Sequence, residues 1–401
     1  MIGASLLLSA MAVSATNLFV SDYSGHITTL NLSEKNGSYS LEKTHSNEGC
    51  APNPSWLTID PSRGLLYCMN EGLTSPNGSL ASFIINTNGS LKTIQNTTTP
   101  NGPVSGVLYG EPAGQRGIAL AHYGGSAVST WLVRENGTFV KNEDFFYYLD
   151  QPGPVPDRQD APHEHEALTD PTGKYILVPD LGADVVRVFS WDVENLKLKE
   201  LDSLKAKAGS GPRHAAFYTP SSLAGSTTYF YLVAELASTV TGYAVTYLPN
   251  NGGLSFTELS VQPTTGPYTL HRINAPAEIH VSPDNRFLLI SNRNDSSFSL
   301  PQPNGTVIPS DSLSTFSLCP DSGNITFHQL WAAGGSFPRH FSLSATGNLV
   351  AVGLQNDQRV VVLERDVASG LIGEPVARIG VQGNVTNVVW DQVRGLGGLG
   401  E

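Results

Sequence analysis

Histidine, arginine and carboxylate residues gather in a few short stretches of this sequence. Pro212-Arg213-His214 and Pro338-Arg339-His340 repeat one tripeptide. Pro162-His163-Glu164-His165-Glu166 and Ala277-Glu278-Ile279-His280 set pairs of such side chains at alternate positions. After a turn and an apolar run come Glu71, Asp180, Glu235, Arg293, Gln355 and Asn356, with His122 in a similar place. Arginine stays cationic and grips carboxylate or phosphate with a planar fork, so several arginines brought together form an anion site. Histidine and glutamate beside them can move protons. The predicted ligand is therefore a small anionic substrate. His163-x-His165 lacks companions at fixed ligand spacing, so no metal and no other cofactor is assigned. No Gly-x-Ser-x-Gly nucleophile elbow and no Gly-rich phosphate loop occurs. His271-Arg272 reads as a solvated loop.

Residues so far apart need a fold that returns them to one place, and an internal repeat supplies it. A proline, a short strand, a turn and a strongly apolar strand recur from Pro54, Pro103, Pro162, Pro212, Pro276 and Pro338. The turns include Asp60-Pro61-Ser62-Arg63-Gly64, Asp170-Pro171-Thr172-Gly173 and Ser282-Pro283-Asp284-Asn285, where proline presets φ and Gly or Asn tolerates positive φ. Second strands are read at Leu65–Met69, Gly117–His122, Tyr175–Val178, Tyr229–Ala234, Phe287–Ser291 and Leu349–Gly353. Third and weaker fourth strands follow, giving four strands in about 50 residues, the pattern of a propeller blade. No stretch sustains a 3.6-residue period, so helices are expected to be few. Six units leave a first strand at Val385–Trp390 and three more at Asn17–Val20, His26–Leu32 and Ser38–Lys43. Joined, they complete a seventh blade and remove two open sheet edges. The predicted fold is all-β: one seven-bladed β-propeller over 16–401, its last blade closed by both chain ends. In such hairpins the start of strand one lies beside the end of strand two, so the polar stretches share one mouth of the ring.

Composition narrows the setting. The chain has 401 residues, 40 Gly, 26 Pro and a net charge of −12 with only 23 Lys and Arg. No cationic run is available for nucleic acid or an anionic membrane surface. The apolar run from Ile2 to Val13, followed by Ser14-Ala15, reads as a signal peptide over 1–15, and no other run is long enough to span a bilayer. Asn-x-Ser/Thr sequons stand at Asn31, Asn36, Asn77, Asn88, Asn96, Asn136, Asn294, Asn304, Asn324 and Asn384, several in turns where a glycan would be exposed. The expectation is a secreted glycoprotein. Of the cysteines, Cys50 and Cys68 make the economical disulfide, leaving Cys319 free and buried. Residues 395–400 are expected to be a frayed tail, and oligomeric state is left open.

At these residues the sequence resembles the seven-bladed lactonase family, which includes propeller-type 6-phosphogluconolactonases and fungal carboxy-cis,cis-muconate cyclases. The resemblance covers nearly the whole mature chain. It rests on Pro162-His163-Glu164-His165-Glu166-Ala167 through Asp184, Gly211-Pro212-Arg213-His214, Val233-Ala234-Glu235-Leu236, Glu278 to Asp284 with Ser291-Asn292-Arg293, and Pro338-Arg339-His340. It implies His165, Arg213, Glu235 and Arg293 as the catalytic set, with His163, His214, Glu278, His280, Arg339 and His340 as substrate-binding neighbours. The implied activity is a metal-independent lactonase or lactonizing cyclase that opens or closes a lactone on a small carboxylate-bearing substrate. Arginines would hold the developing charge while His165 or Glu235 shuttles the proton. Two alternatives stand beside it: a non-catalytic secreted or cell-surface glycoprotein for adhesion or ligand binding, and a lactonase dependent on a divalent metal.

Overall fold

The computed structural model describes residues 14–111, 114–220, 227–268, 274–301 and 305–391. His271, Arg272, Asn304 and the segments 1–13 and 392–401 lie outside the described residues. Seven four-stranded antiparallel sheets follow one another around a central tunnel. Six are built from consecutive stretches, at 54–99, 103–146, 164–205, 212–263, 275–332 and 338–380, here blades one to six. The seventh joins Val385–Trp390 to Ser14–Asp22, Ile27–Lys35 and Ser38–Asn47, with Leu18 opposite Trp390 and Val20 opposite Val388. Asn17 adds a side-chain bond to Asp391, and Ser21 bonds Thr386 at 2.8 Å. The ring thus closes on its own ends and has no free inner edge, which is the physical reason the two partial units belong together.

Apolar alternation along the strands builds seven separate cores, each between neighbouring blades. Leu18, Val20, Val385 and Val388 of the closing blade pack on Leu349, Ala351 and Val360 of blade six. Phe19 and Ile27 pack on Leu57, Leu66 and Phe83 of blade one. The second strands of blades one to six are buried on both faces, so they read as strongly apolar runs. The sole helix among the described residues is one 3₁₀ turn, Pro249–Asn251.

Two devices shape the mouth. In six blades the residue after strand two donates its N–H to the residue before strand one. The bonds run from Tyr23 to Asn384, Glu71 to Asn53, Tyr123 to Gly102, Leu181 to His163, Glu235 to Gly211 and Gln355 to Phe337, at 2.7–3.0 Å. Strand one then starts with proline in blades one, two, four and six, where a missing N–H costs no ladder bond. Directly after that proline the register shifts, between Pro54 and Trp56, Pro103 and Ser105, Pro212 and Ala215, and Pro338 and His340; blade five shifts between Pro276 and Ile279. In a regular strand neighbouring side chains point to opposite faces; a bulge re-aims them. This is how Arg213 and His214, adjacent in sequence, both face the centre of the ring.

Some details depart from expectation. Blade three's first strand is regular only at Leu168–Thr169, with a lone bridge from Glu164 to Asp180 before it. The polar run Pro162 to Glu166 keeps two backbone bonds to strand two, Leu181 N–H to the His163 carbonyl and His165 N–H to the Pro179 carbonyl. The Asp180 carboxylate adds to them by accepting the N–H groups of His163 and Ala183. Blade five carries an added hairpin, Phe298–Pro301 with Val307–Ser310, that no repeat signal announced. The closing strand begins at Ser14, two residues ahead of the expected domain start. Cys50 and Cys68 form the disulfide, and Cys319 is free but partly exposed, because it sits at a turn outside the cores.

Candidate active site

A buried ion cluster fills the mouth. Glu235, directly after strand two of blade four, meets Arg213 at 3.0 Å, Arg293 at 2.6 Å and Arg158 at 2.7 Å. Arg213 also donates to the Ala277 carbonyl at 2.6 Å, and Arg293 to the Ala275 carbonyl at 2.9 Å. Arg293 lies 5.1 Å over the ring of Phe337, whose φ of 62° is unusual for a bulky residue. A fourth guanidinium, Arg339, faces Glu71 at 3.8 Å and the Tyr23 ring at 5.4 Å, while the Tyr23 hydroxyl donates to Glu71. Burial pushes the Tyr23 hydroxyl up to about 12, so it stays neutral. The mouth therefore holds four guanidinium groups against Glu71 and Glu235, with a third carboxylate, Glu278, adjoining Arg213. Burial, with Arg293 and Arg339 adding repulsion, brings Arg213 down to about 9. Despite its own burial, Glu235 is held down at about 2 by Arg293, Arg213 and Arg158. It is a permanent anion here, a clamp for the arginines and not a proton carrier. Arg158 is the most open of the set, its side chain 41% exposed.

Beneath the arginines lies a layer of imidazoles. His165 Nδ1 is 3.2 Å from His214 Nε2, and His214 Nδ1 is 3.2 Å from the Glu278 carboxylate. His340 Nε2 approaches the same carboxylate at 3.4 Å, and its Nδ1 accepts the Val388 N–H at 3.3 Å. Trp56 presents its ring to His214 and His340 at 5.5 and 5.1 Å. Burial holds His214 at about 4 and His340 at about 3. His165 is pushed well below the usual histidine range by burial, then by Arg213, His214, Arg339 and Arg293. All three are neutral at pH 7. Glu278 goes the other way: His214 and His340 overcome its burial and hold it well below the usual carboxylate range. Glu166 accepts the Ala215 N–H at 2.7 Å and is pushed well up by burial and by Glu278.

The structure brings His165, Arg213, Glu235 and Arg293 to one mouth, with Arg339, His214, Glu278 and His340 adjoining. Two expected neighbours are placed otherwise. His163 stacks on Tyr123 at 4.3 Å and spends its nitrogens on the Tyr123 carbonyl and Asp160, so it braces the wall. His280, two residues beyond Glu278 on the same strand, reaches only the imidazole layer: its Nε2 lies 3.6 Å from Glu278 and its ring packs on His340 and Phe341. Asp180 and His122 also turn from the mouth, Asp180 to Arg187 and His122 to Ser129 and backbone carbonyls. Sequence reasoning missed Arg158, Tyr23 and Tyr123. The tyrosines were findable, since each occupies the repeat position of Glu71 and Glu235, directly after strand two. Arg158 arrives on the long 147–163 connection and carries no repeat signal.

Two groups bring three metal-ligand atoms within 4.8 Å of one another: Glu278, His280 and His340, and Glu166, His214 and Glu278. In the first, His340 accepts a backbone N–H on Nδ1, so its Nε2 turns a proton and not a lone pair toward Glu278.

Comparison with known proteins places this architecture. A family model described as lactonase, seven-bladed β-propeller, matches residues 14–390. The chain is 31% identical over 366 residues to the probable 6-phosphogluconolactonase of Arthroderma benhamiae, covering 91% of this chain and 86% of the relative. It is 29% identical over 337 residues to the 6-phosphogluconolactonase of Formosa agariphila, covering 83% and 87%. Among solved structures, the periplasmic gluconolactonase of Pseudomonas aeruginosa matches with a TM-score of 0.77 at 26% identity, covering 94% of this chain and 99% of that one.

Proposed function

This chain belongs to the seven-bladed β-propeller lactonase family, and from that premise we propose that it hydrolyses the ring ester of a sugar-acid lactone bearing or forming an anion. The observation that carries the reading is the mouth itself: four guanidinium groups converge against three carboxylates, Glu71, Glu235 and Glu278, on a chain whose net charge is −12. Such a local excess of positive charge suits a phosphate on the substrate and the carboxylate of the product. His165 takes a proton from water as general base, and the water oxygen bonds to the lactone carbonyl carbon. The carbonyl oxygen becomes an oxyanion, which Arg213 and Arg293 stabilise. Collapse breaks the ring carbon–oxygen bond, and the leaving ring oxygen takes the proton back from His165. Glu235 fixes the arginines and stays ionised. The relatives named as 6-phosphogluconolactonases support hydrolysis over ring closure.

Purified protein assayed with glucono-δ-lactone, its 6-phosphate and muconates, against spontaneous opening, tests this reading. Acceleration of a lactone that is lost in Arg213→Ala supports it; wild type at the background rate on every compound overturns it.

We further propose that the chain is secreted and glycosylated. Asn36, Asn77, Asn88, Asn96, Asn136, Asn294 and Asn324 are exposed, which supports their modification. Asn31 is half-buried with its amide bonded to Asn17, and Asn384 is half-buried, so these two are expected to stay bare. Glycopeptide mapping of the protein from culture medium checks the assignment; glycan on Asn31 but not on Asn36 would contradict it.

A further inference from the structure

Proton bookkeeping in the buried layer fixes more than a list of polar contacts. Glu278 is 1% exposed and held as a carboxylate, so it can only accept. His214 Nδ1, 3.2 Å away, must then carry a proton. His214 is neutral, so its Nε2 has the lone pair, and His165 Nδ1 at 3.2 Å must be the donor. That leaves the lone pair of His165 on Nε2, which has no hydrogen-bond partner among the described residues. The His340 tautomer is fixed separately: a backbone N–H on its Nδ1 forces a proton onto Nε2, which lies 3.4 Å from the second carboxylate oxygen of Glu278 without a formed hydrogen bond.

Resting on the hydrolase reading above, we propose that Glu278 and His214 are positioning residues, forming a His165–His214–Glu278 relay that presents the Nε2 lone pair of His165 to the mouth. The relay has the logic of a nucleophile–base–orienter set with one more imidazole inserted. It has two effects. The tautomer of His165 is set before substrate arrives, and the charge formed when His165 takes a proton from water lies two hydrogen bonds from an anion. Arg213, Arg293 and Arg339 oppose that charge, and Glu278 supplies an anion on the His214 side of the ring. Two blades supply the relay's lower members, His214 from blade four and Glu278 from blade five, and Trp56 of blade one packs against His214. No water-filled path is required, since each step is a direct contact.

Nitrogen-15 NMR of the histidine rings in the wild-type protein at neutral pH reads the tautomers without any substrate. Protons on Nδ1 of His165, Nδ1 of His214 and Nε2 of His340 are expected; a proton on Nε2 of His165 overturns the relay. Kinetics give a second arm. Glu278→Gln is expected to lower kcat by about 10²–10⁴-fold with KM little changed, to move the acid limb of kcat to lower pH, and to be partly rescued in Glu278→Asp. A Glu278→Gln enzyme with wild-type kcat and pH profile overturns the relay, while loss in Arg213→Ala would still uphold hydrolysis. If wild type opens no lactone, the hydrolase reading fails, and the tautomers alone decide the relay.

Discussion

Among the individual side chains, charge and burial divide the work. Arg213 and Arg293 are buried against Glu235, whereas Arg158 reaches the same carboxylate from an open loop. Arg213→Ala is expected to lower kcat by about 10²–10³-fold, the usual effect of removing an oxyanion donor. Arg158→Ala should instead raise KM for a phosphorylated lactone several-fold with kcat nearly kept, since an exposed cation contributes chiefly to binding; steady-state kinetics on both variants separate these outcomes. His165 titrates below its ordinary value of 6.5 through burial and the surrounding arginines. The acid limb of kcat/KM, which reports the free enzyme, should therefore lie below pH 6.5, and that of kcat should sit higher once a bound anion offsets the arginines. An acid limb of kcat/KM above pH 6.5 would contradict this placement. Most of these residues were legible because their types cluster in repeated motifs. Arg158 was not, because a loop residue acquires its role only from where the chain happens to pass.

Strands and turns were read more securely than the bends between them. In blades one to six the second strands were read to within one residue at their starts and two at their ends, since burial on both faces writes a continuous apolar run; Tyr175–Asp180 and Phe287–Arg293 run two residues past the expected ends. First strands were harder, because the bulge after the proline breaks the alternation that identifies a strand; blade three, with four polar residues in a row after Pro162, keeps a regular ladder only at Leu168–Thr169. Yet that irregularity sets both side chains of Pro-Arg-His in the tunnel. The Cys50–Cys68 bridge ties the connection from the closing blade to strand two of blade one across 18 residues, within a core of Phe19, Leu57 and Phe83. Replacing both cysteines with alanine is expected to lower stability by about 3 kcal/mol, from loop-closure entropy returned to the unfolded chain. Denaturant unfolding measures it, and an unchanged midpoint would contradict it.

Across the whole molecule, ring closure is what gathers distant residues into one site. Burying neutral imidazoles inside the ring has a consequence for stability. His122 and His214 are held at about 4 and His340 at about 3, against an ordinary 6.5. Groups whose folded values are depressed lend stability above their unfolded value and lose it as pH falls toward the folded one. The unfolding midpoint should thus drop as pH falls from about 6.5 toward 4, with Glu235 and Glu278 extending the loss below about 4.5. Glu164, Glu166 and Asp295, pushed up by burial, act oppositely, costing stability as pH rises. Thermal unfolding across pH 4–7 checks the sum; a midpoint that climbs on acidification would contradict it. The central claim, that the mouth works as one catalytic unit, is tested most directly by pH-stat hydrolysis of a phosphorylated sugar lactone by wild type, His165→Ala, Arg213→Ala and the double variant. The account predicts that each single change costs at least about 10²-fold and that the double change costs far less than their product, because the two residues serve the same transition state. Four proteins with the same rate would contradict it.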